Sequence, residues 1–116
     1  MVLPGEPMEP LKGFQKKFLR KLAHGLKPVV FIGQKGLSDS LIGSIHYALD
    51  THELIKLKFI EFKDKQQKAE MISTIQAETD CRLVGIIGHI AILYRQHADP
   101  EKRKIQLPNR NAQISS

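Results

Sequence analysis

The sequence predicts an α/β fold: a two-layer sandwich with elements in the order α-β-α-β-α-β-β and a four-stranded mixed sheet. Three observations lead there. Apolar residues switch repeatedly between helical spacing and the two-residue spacing or short runs of strands. Two late apolar runs are separated only by Gly88-His89, which is hairpin chemistry of the Gly-X kind. The 116-residue length suits one domain with a modest core.

Residues 1–9 contain two prolines and few apolar side chains, and read as a flexible leader. Residues 10–96 form the predicted domain. Its first helix covers residues 10–23, where Leu11, Phe14, Phe18 and Leu22 share an arc of about 80°. Lys12, Lys16, Lys17, Arg20 and Lys21 spread over the opposite side. Gly25 and Pro28 end that helix. Residues 29–32, Val-Val-Phe-Ile, form a short β-rich run without polar alternation, which predicts a strand covered on both faces. Leu37, Leu41, Ile45 and Leu49 then recur at helical spacing, with Ser38 as N-cap and Leu37 stapled to Ile42. "ELIKLKFIEF" sets Ile55, Leu57 and Phe59 on one face of a strand and Lys56 and Lys58 on the other. Asp64-Lys65-Gln66-Gln67 is a capping box that opens a third helix, with Ile72 and Ile75 inward. Strands over 82–87 and 90–94 close the domain. Residues 97–116 read as a basic polar tail.

Composition narrows the function. Eighteen Lys and Arg against 12 acidic residues give a formal charge of +6, which favours a polyanionic partner. The single cysteine, Cys81, excludes an internal disulfide framework and fits a reducing compartment. The N-terminal residues lack a signal-peptide pattern, and the apolar run 83–94 is too short to span a bilayer. A cytoplasmic protein without membrane association, and a monomer, is the expectation. Five histidines show no ligand spacing, so no metal, no cofactor and no catalytic residue is expected. His52 and Glu53 adjoin on a predicted strand and would point to opposite faces. Aromatic content is 6% with no Trp, which supplies base stacking poorly, and Lys56 and Lys58 read as solvated.

The stretch Gly33-Gln34-Lys35-Gly36 lies where a strand turns into a helix. Glycines there tolerate φ > 0 and let a ligand approach the backbone. The helix that follows has amide N–H groups without intrahelical partners, and its dipole favours an anion. Lys35 adds a cation at the tip. Neither the G-x-x-x-x-G-K-[ST] nor the G-x-G-x-x-G spacing is present, which argues against the common nucleotide folds. A G-x-x-G loop that clamps a nucleic-acid backbone, as in KH domains, fits. The basic helix would extend the positive surface.

With "LAHGLKPVVFIGQKGLSDSLIGSIHYALDTHELIKLKF", "VGIIGHIAILYR" and "RKIQLP", the chain resembles the CRM-domain family (chloroplast RNA splicing and ribosome maturation) over residues 11–108. It is most similar to the single-domain bacterial YhbY-like branch. The resemblance implies a fold similar to the C-terminal domain of translation initiation factor three. It also implies a non-catalytic RNA-binding protein that associates with ribosomal RNA or large-subunit precursors. The family's loop maps onto Gly33, Gln34, Lys35 and Gly36. The expected RNA-binding set is these four with Lys12, Lys16, Lys17, Arg20 and Lys21. Two other readings stay open on the residues: a small nucleotide-binding protein using the glycine loop, and a protein-docking module on the ribosome.

Overall fold

The computed structural model describes residues 10–61 and 64–108, so the predicted leader (1–9) and the end of the predicted tail (109–116) lie outside the described residues. The elements are α1 (Gly13–Ala23), β1 (Val30–Ile32), α2 (Asp39–His52), β2 (Leu54–Phe59), α3 (Lys65–Thr79), β3 (Arg82–Ile87) and β4 (Ile90–Tyr94). A short 3-10 turn, Pro100–Lys102, follows. The predicted α/β fold with three helices and a four-stranded mixed sheet is what the chain forms. Strand order is β1-β2-β4-β3, with β1 parallel to β2 and the other neighbours antiparallel.

Local chemistry starts and stops the elements. Ser38 Oγ accepts from Leu41 N at 3.1 Å and caps α2. The α3 capping box closes both ways: Gln67 N donates to Asp64 Oδ1 at 2.8 Å, and Asp64 N to Gln67 Oε1 at 3.1 Å. Gly88 takes φ +60 at the β3–β4 hairpin, the left-handed geometry that the turn requires.

The main core lies between one sheet face and α2 with α3. Val30, Ile32, Ile55, Leu57, Phe59, Ala91 and Leu93 meet Ile45, Ala48, Leu49, Ile72 and Ile75 there. The other sheet face is covered only in part. Leu54, Val84, Ile92 and Tyr94 pack under Leu11, Leu19 and Ala23 of the α1 segment, with Phe18, Ile105 and Leu107 at the margin. To the predicted two layers, α1 thus adds a partial third over one end of the sheet.

Three expectations change. The strand at residues 29–32 was expected to be covered on both faces, but β1 is an edge strand and Phe31 is 50% exposed. Its uninterrupted apolar run marks one face of the core and one face of the surface. The buried stripe of α1 is rotated from the predicted arc: Leu19 and Ala23 are buried, whereas Leu22 is 45% exposed. Burial of Leu19 and Ala23 against Leu54, Val84, Ile92 and Tyr94 sets the phase, with the Arg20 stem lying over Gly85. Lys16, placed on the solvated side by the pattern, is half-buried as a result.

The third change concerns residues 97–108, which do not trail as a tail. Glu53, the C-cap of α2 at φ 64, is 1% exposed and receives them. Its Oε2 accepts from His97 N at 2.7 Å, and its Oε1 from Lys104 N at 2.6 Å and Ile105 N at 3.0 Å. Burial, and secondarily this carboxylate, push the Tyr94 phenol up to about 12, with Arg103 opposing. Beside this clasp Arg95 N donates to Glu53 O at 2.8 Å. The Arg95 guanidinium ties α2 to α3: it donates to Asp50 Oδ1 at 2.8 Å, to His46 O at 3.1 Å and to Thr79 O at 2.8 Å. The Glu and the Arg of "HELIK" and "LYR" are therefore structural ties.

Candidate functional site

The Gly33–Gly36 stretch is a tight turn closed by Gly36 N donating to Gly33 O at 3.0 Å. Gly36 sits at φ +70, where a side chain would be strained. Gly33 has no such constraint, since a Cβ there would meet Ile60 Cδ1 at an ordinary 3.4 Å. Gln34 and Lys35 occupy the exposed tip, and no partner binds either side chain among the described residues. The turn leads through Leu37 into the Ser38 cap, so the corner predicted from glycine spacing exists as a strand–turn–helix. Asp39 brings a carboxylate into the first turn of α2. The part of the corner that favours an anion is therefore the tip with Lys35, more than the helix end itself.

The structure does not gather all the expected binding residues into one patch. The cations Lys12, Lys17, Arg20 and Lys21 are exposed on or beside α1, and Lys16 is half-buried. Helix α1 holds no acidic residue, so its surface is uniformly basic. It packs on β2 and β3 at the Leu54–Tyr94–Arg82 end of the sheet. Because β1 and β2 run parallel, the turn after Ile32 adjoins the opposite end, at Phe59 and Ile60. Turn and helix are thus separate cationic borders of one sheet face.

What lies between them was not expected from the sequence. Registers pair Phe31 with Lys58, Lys58 with Ile90 and Ile90 with Ile87, so these four form one row across all four strands. The row points to the face that α1 only half covers. Such a surface can be found only once strand order and register are known.

Other features offer little chemistry. A shallow groove of 490 Å³ between α2 and the start of β1 is lined by Val29, Ser40, Gly43, Ser44, Tyr47 and His52, without a carboxylate. No group of three His, Cys, Asp or Glu residues among those described is placed to hold a metal ion. Cys81 is buried, and burial pushes its thiol up more than Thr79 and Arg95 lower it, which suppresses the nucleophilic thiolate. No described helix is long and apolar enough to cross a membrane.

Fold and surface together define a small α/β domain whose distinctive feature is an open cationic face with a glycine-bracketed turn. The sequence profile of the CRS1/YhbY (CRM) domain matches residues 11–95, and the chain belongs to that family. A Haemophilus influenzae protein named an RNA-binding protein is 44% identical over 103 residues, covering 89% of this chain and 100% of the relative. The Bacillus subtilis protein YqeI, named a probable RNA-binding protein, is 34% identical over 98 residues, covering 84% and 99%. The solution structure of SAV1595 from Staphylococcus aureus, proposed to bind RNA, superposes with a TM-score of 0.71 at 34% identity. It covers 84% of this chain and 99% of its own.

Proposed function

We propose that the protein is a non-catalytic RNA-binding protein that docks on large-subunit ribosomal RNA in precursor particles and holds the RNA backbone at the Gly33–Gly36 turn. The observation that carries this reading is the exposed Gln34-Lys35 tip, whose cation has no partner among the described residues, on a domain whose relatives are named for RNA binding. Phosphates meet Lys35 and the backbone of the exposed Gln34-Lys35 tip. Lys12, Lys17, Arg20 and Lys21, with the half-buried Lys16, extend the positive field along the other border and steer the strand. The family resemblance supports the ribosomal target, and a charge of +6 in a small domain supports a polyanionic partner.

The test is affinity for a structured ribosomal RNA fragment as a function of salt. If about three to five phosphates are neutralised, the log–log slope lies at roughly −2 to −4. Lys35→Ala is expected to weaken binding about evenly across RNA sequences and to make the slope shallower by about one phosphate. A slope near zero, or an unaltered slope in Lys35→Ala, contradicts the reading. Cosedimentation with precursor particles then tests the ribosomal target.

A further inference from the structure

We propose that the half of the sheet face left bare by α1 is a stacking platform for unpaired bases of an RNA strand. The position of that strand rests on the reading of the Gly33–Gly36 turn as a phosphate site. The row Phe31–Lys58–Ile90–Ile87 crosses the whole sheet in register. Phe31 is 50% exposed, Ile87 65% and Ile60 56%, so an aromatic ring and aliphatic surface face solvent together. Exposed apolar residues gathered on one sheet face mark an interaction site more often than a scattered apolar residue does.

Charge selects the occupant. The same-face positions 54, 56 and 58 of β2 and 90, 92 and 94 of β4, and Ile60 just after β2, carry no carboxylate. Lys58 stands in the middle of the row, and no partner engages its amine among the described residues. Lys56, one step toward α1, is already committed through Nζ to Leu26 O at 3.0 Å. Arg20 borders the row from α1, its stem over Gly85. An apolar helix laid on this row would strip water from the Lys58 ammonium without offering a countercharge, which is costly. An RNA strand offers both a base face for Phe31 and a phosphate for Lys58. The platform spans three inter-strand spacings, about 14 Å, and four-stranded sheets in other RNA-binding folds hold two or three bases. The glycine turn lies on one side of the row and the α1 cations on the other, so positive charge flanks the row on both sides.

The experiment compares two probes on the full chain: an oligoadenylate of about 12 nucleotides, and an abasic ribose-phosphate strand of the same length. The parent is expected to bind oligoadenylate more tightly. Phe31→Ala is expected to lower oligoadenylate affinity about tenfold and leave abasic-strand affinity unchanged, whereas Phe31→Tyr keeps the parent's values. Because the chain has no Trp, Phe31→Trp supplies a single indole, and its emission is expected to be quenched by oligoadenylate but not by the abasic strand. Equal affinity of the parent for both strands overturns the platform, as does an equal loss for both in Phe31→Ala. Absence of binding by the parent to either strand also overturns it. Failure of the turn reads differently: Gln34→Asp with Lys35→Asp would then bind both strands like the parent, while Phe31→Ala still weakened oligoadenylate alone, which supports the platform.

Discussion

Replacing Gln34 and Lys35 together by aspartate is expected to lower RNA affinity about a hundredfold while the domain stays folded. The pair of changes alters the tip by three charge units. Each unit near a phosphate is worth about 1 kcal/mol at water-like screening, so the sum is about two decades in affinity. Both residues are exposed at the tip, and neither side chain has a partner among the described residues that the change would break. Substitutions of that kind usually move stability by no more than about 0.5 kcal/mol. Circular dichroism and the melting temperature should therefore match the parent, and both glycines remain in place. Filter binding or fluorescence anisotropy with a ribosomal RNA fragment reads the effect, and cosedimentation with large-subunit precursors should fall in parallel. A folded double variant that binds like the parent reduces the stretch to a turn.

The largest effect on stability is expected at Glu53, at the end of the sheet opposite the Gly33–Gly36 turn. Glu53→Ala removes an almost fully buried carboxylate that accepts backbone hydrogens from His97, Lys104 and Ile105. Bonds to a charged acceptor contribute more than neutral ones, and three donors lose their partner together, so the expected loss is about 3 kcal/mol. The positive φ is no easier for alanine than for glutamate, so backbone strain does not offset it. The midpoint of urea unfolding should drop accordingly, and trypsin should cut faster at Lys102, Arg103 and Lys104 as the released segment leaves α1. Glu53→Gln, which keeps one acceptor oxygen, should fall between. An unchanged midpoint with unchanged cleavage would show that residues 97–108 are held by Ile105 and Leu107 instead.

What could be read from the sequence was what local chemistry decides. The Asp64–Gln67 box, the Ser38 cap and the Gly88-His89 turn each depend on residues within four positions of one another, and each forms as expected. The strand–turn–helix corner at Gly33–Gly36 was legible for the same reason. Distant pairings were not. Glu53 finds its donors 44 to 52 residues away, so its neighbourhood in sequence suggested a strand position and left its role unread. The stripe of α1 turned toward Leu19 and Ala23 because their apolar partners are Leu54, Val84, Ile92 and Tyr94, all distant in sequence. Phe31 looked buried on both sides because an apolar run carries no record of strand order, and only the edge position of β1 frees its ring. Lys58 was readable as a face-alternating lysine, but its neighbours on that face come from β1, β4 and β3.

The central claim is that the turn holds RNA, and amide chemical-shift mapping of the isotope-labelled full chain tests it most directly. Titration with a ribosomal RNA fragment is expected to move the amides of Gly33, Gln34, Lys35 and Gly36 first and furthest, and to broaden them as binding nears saturation. Smaller shifts are expected at Lys17, Arg20 and Lys21 of α1, and the Glu53 clasp should stay still. Adding salt should return the turn amides toward their free positions in step with the loss of affinity. Turn amides that stay fixed through saturation, while shifts gather on another surface, would contradict the account.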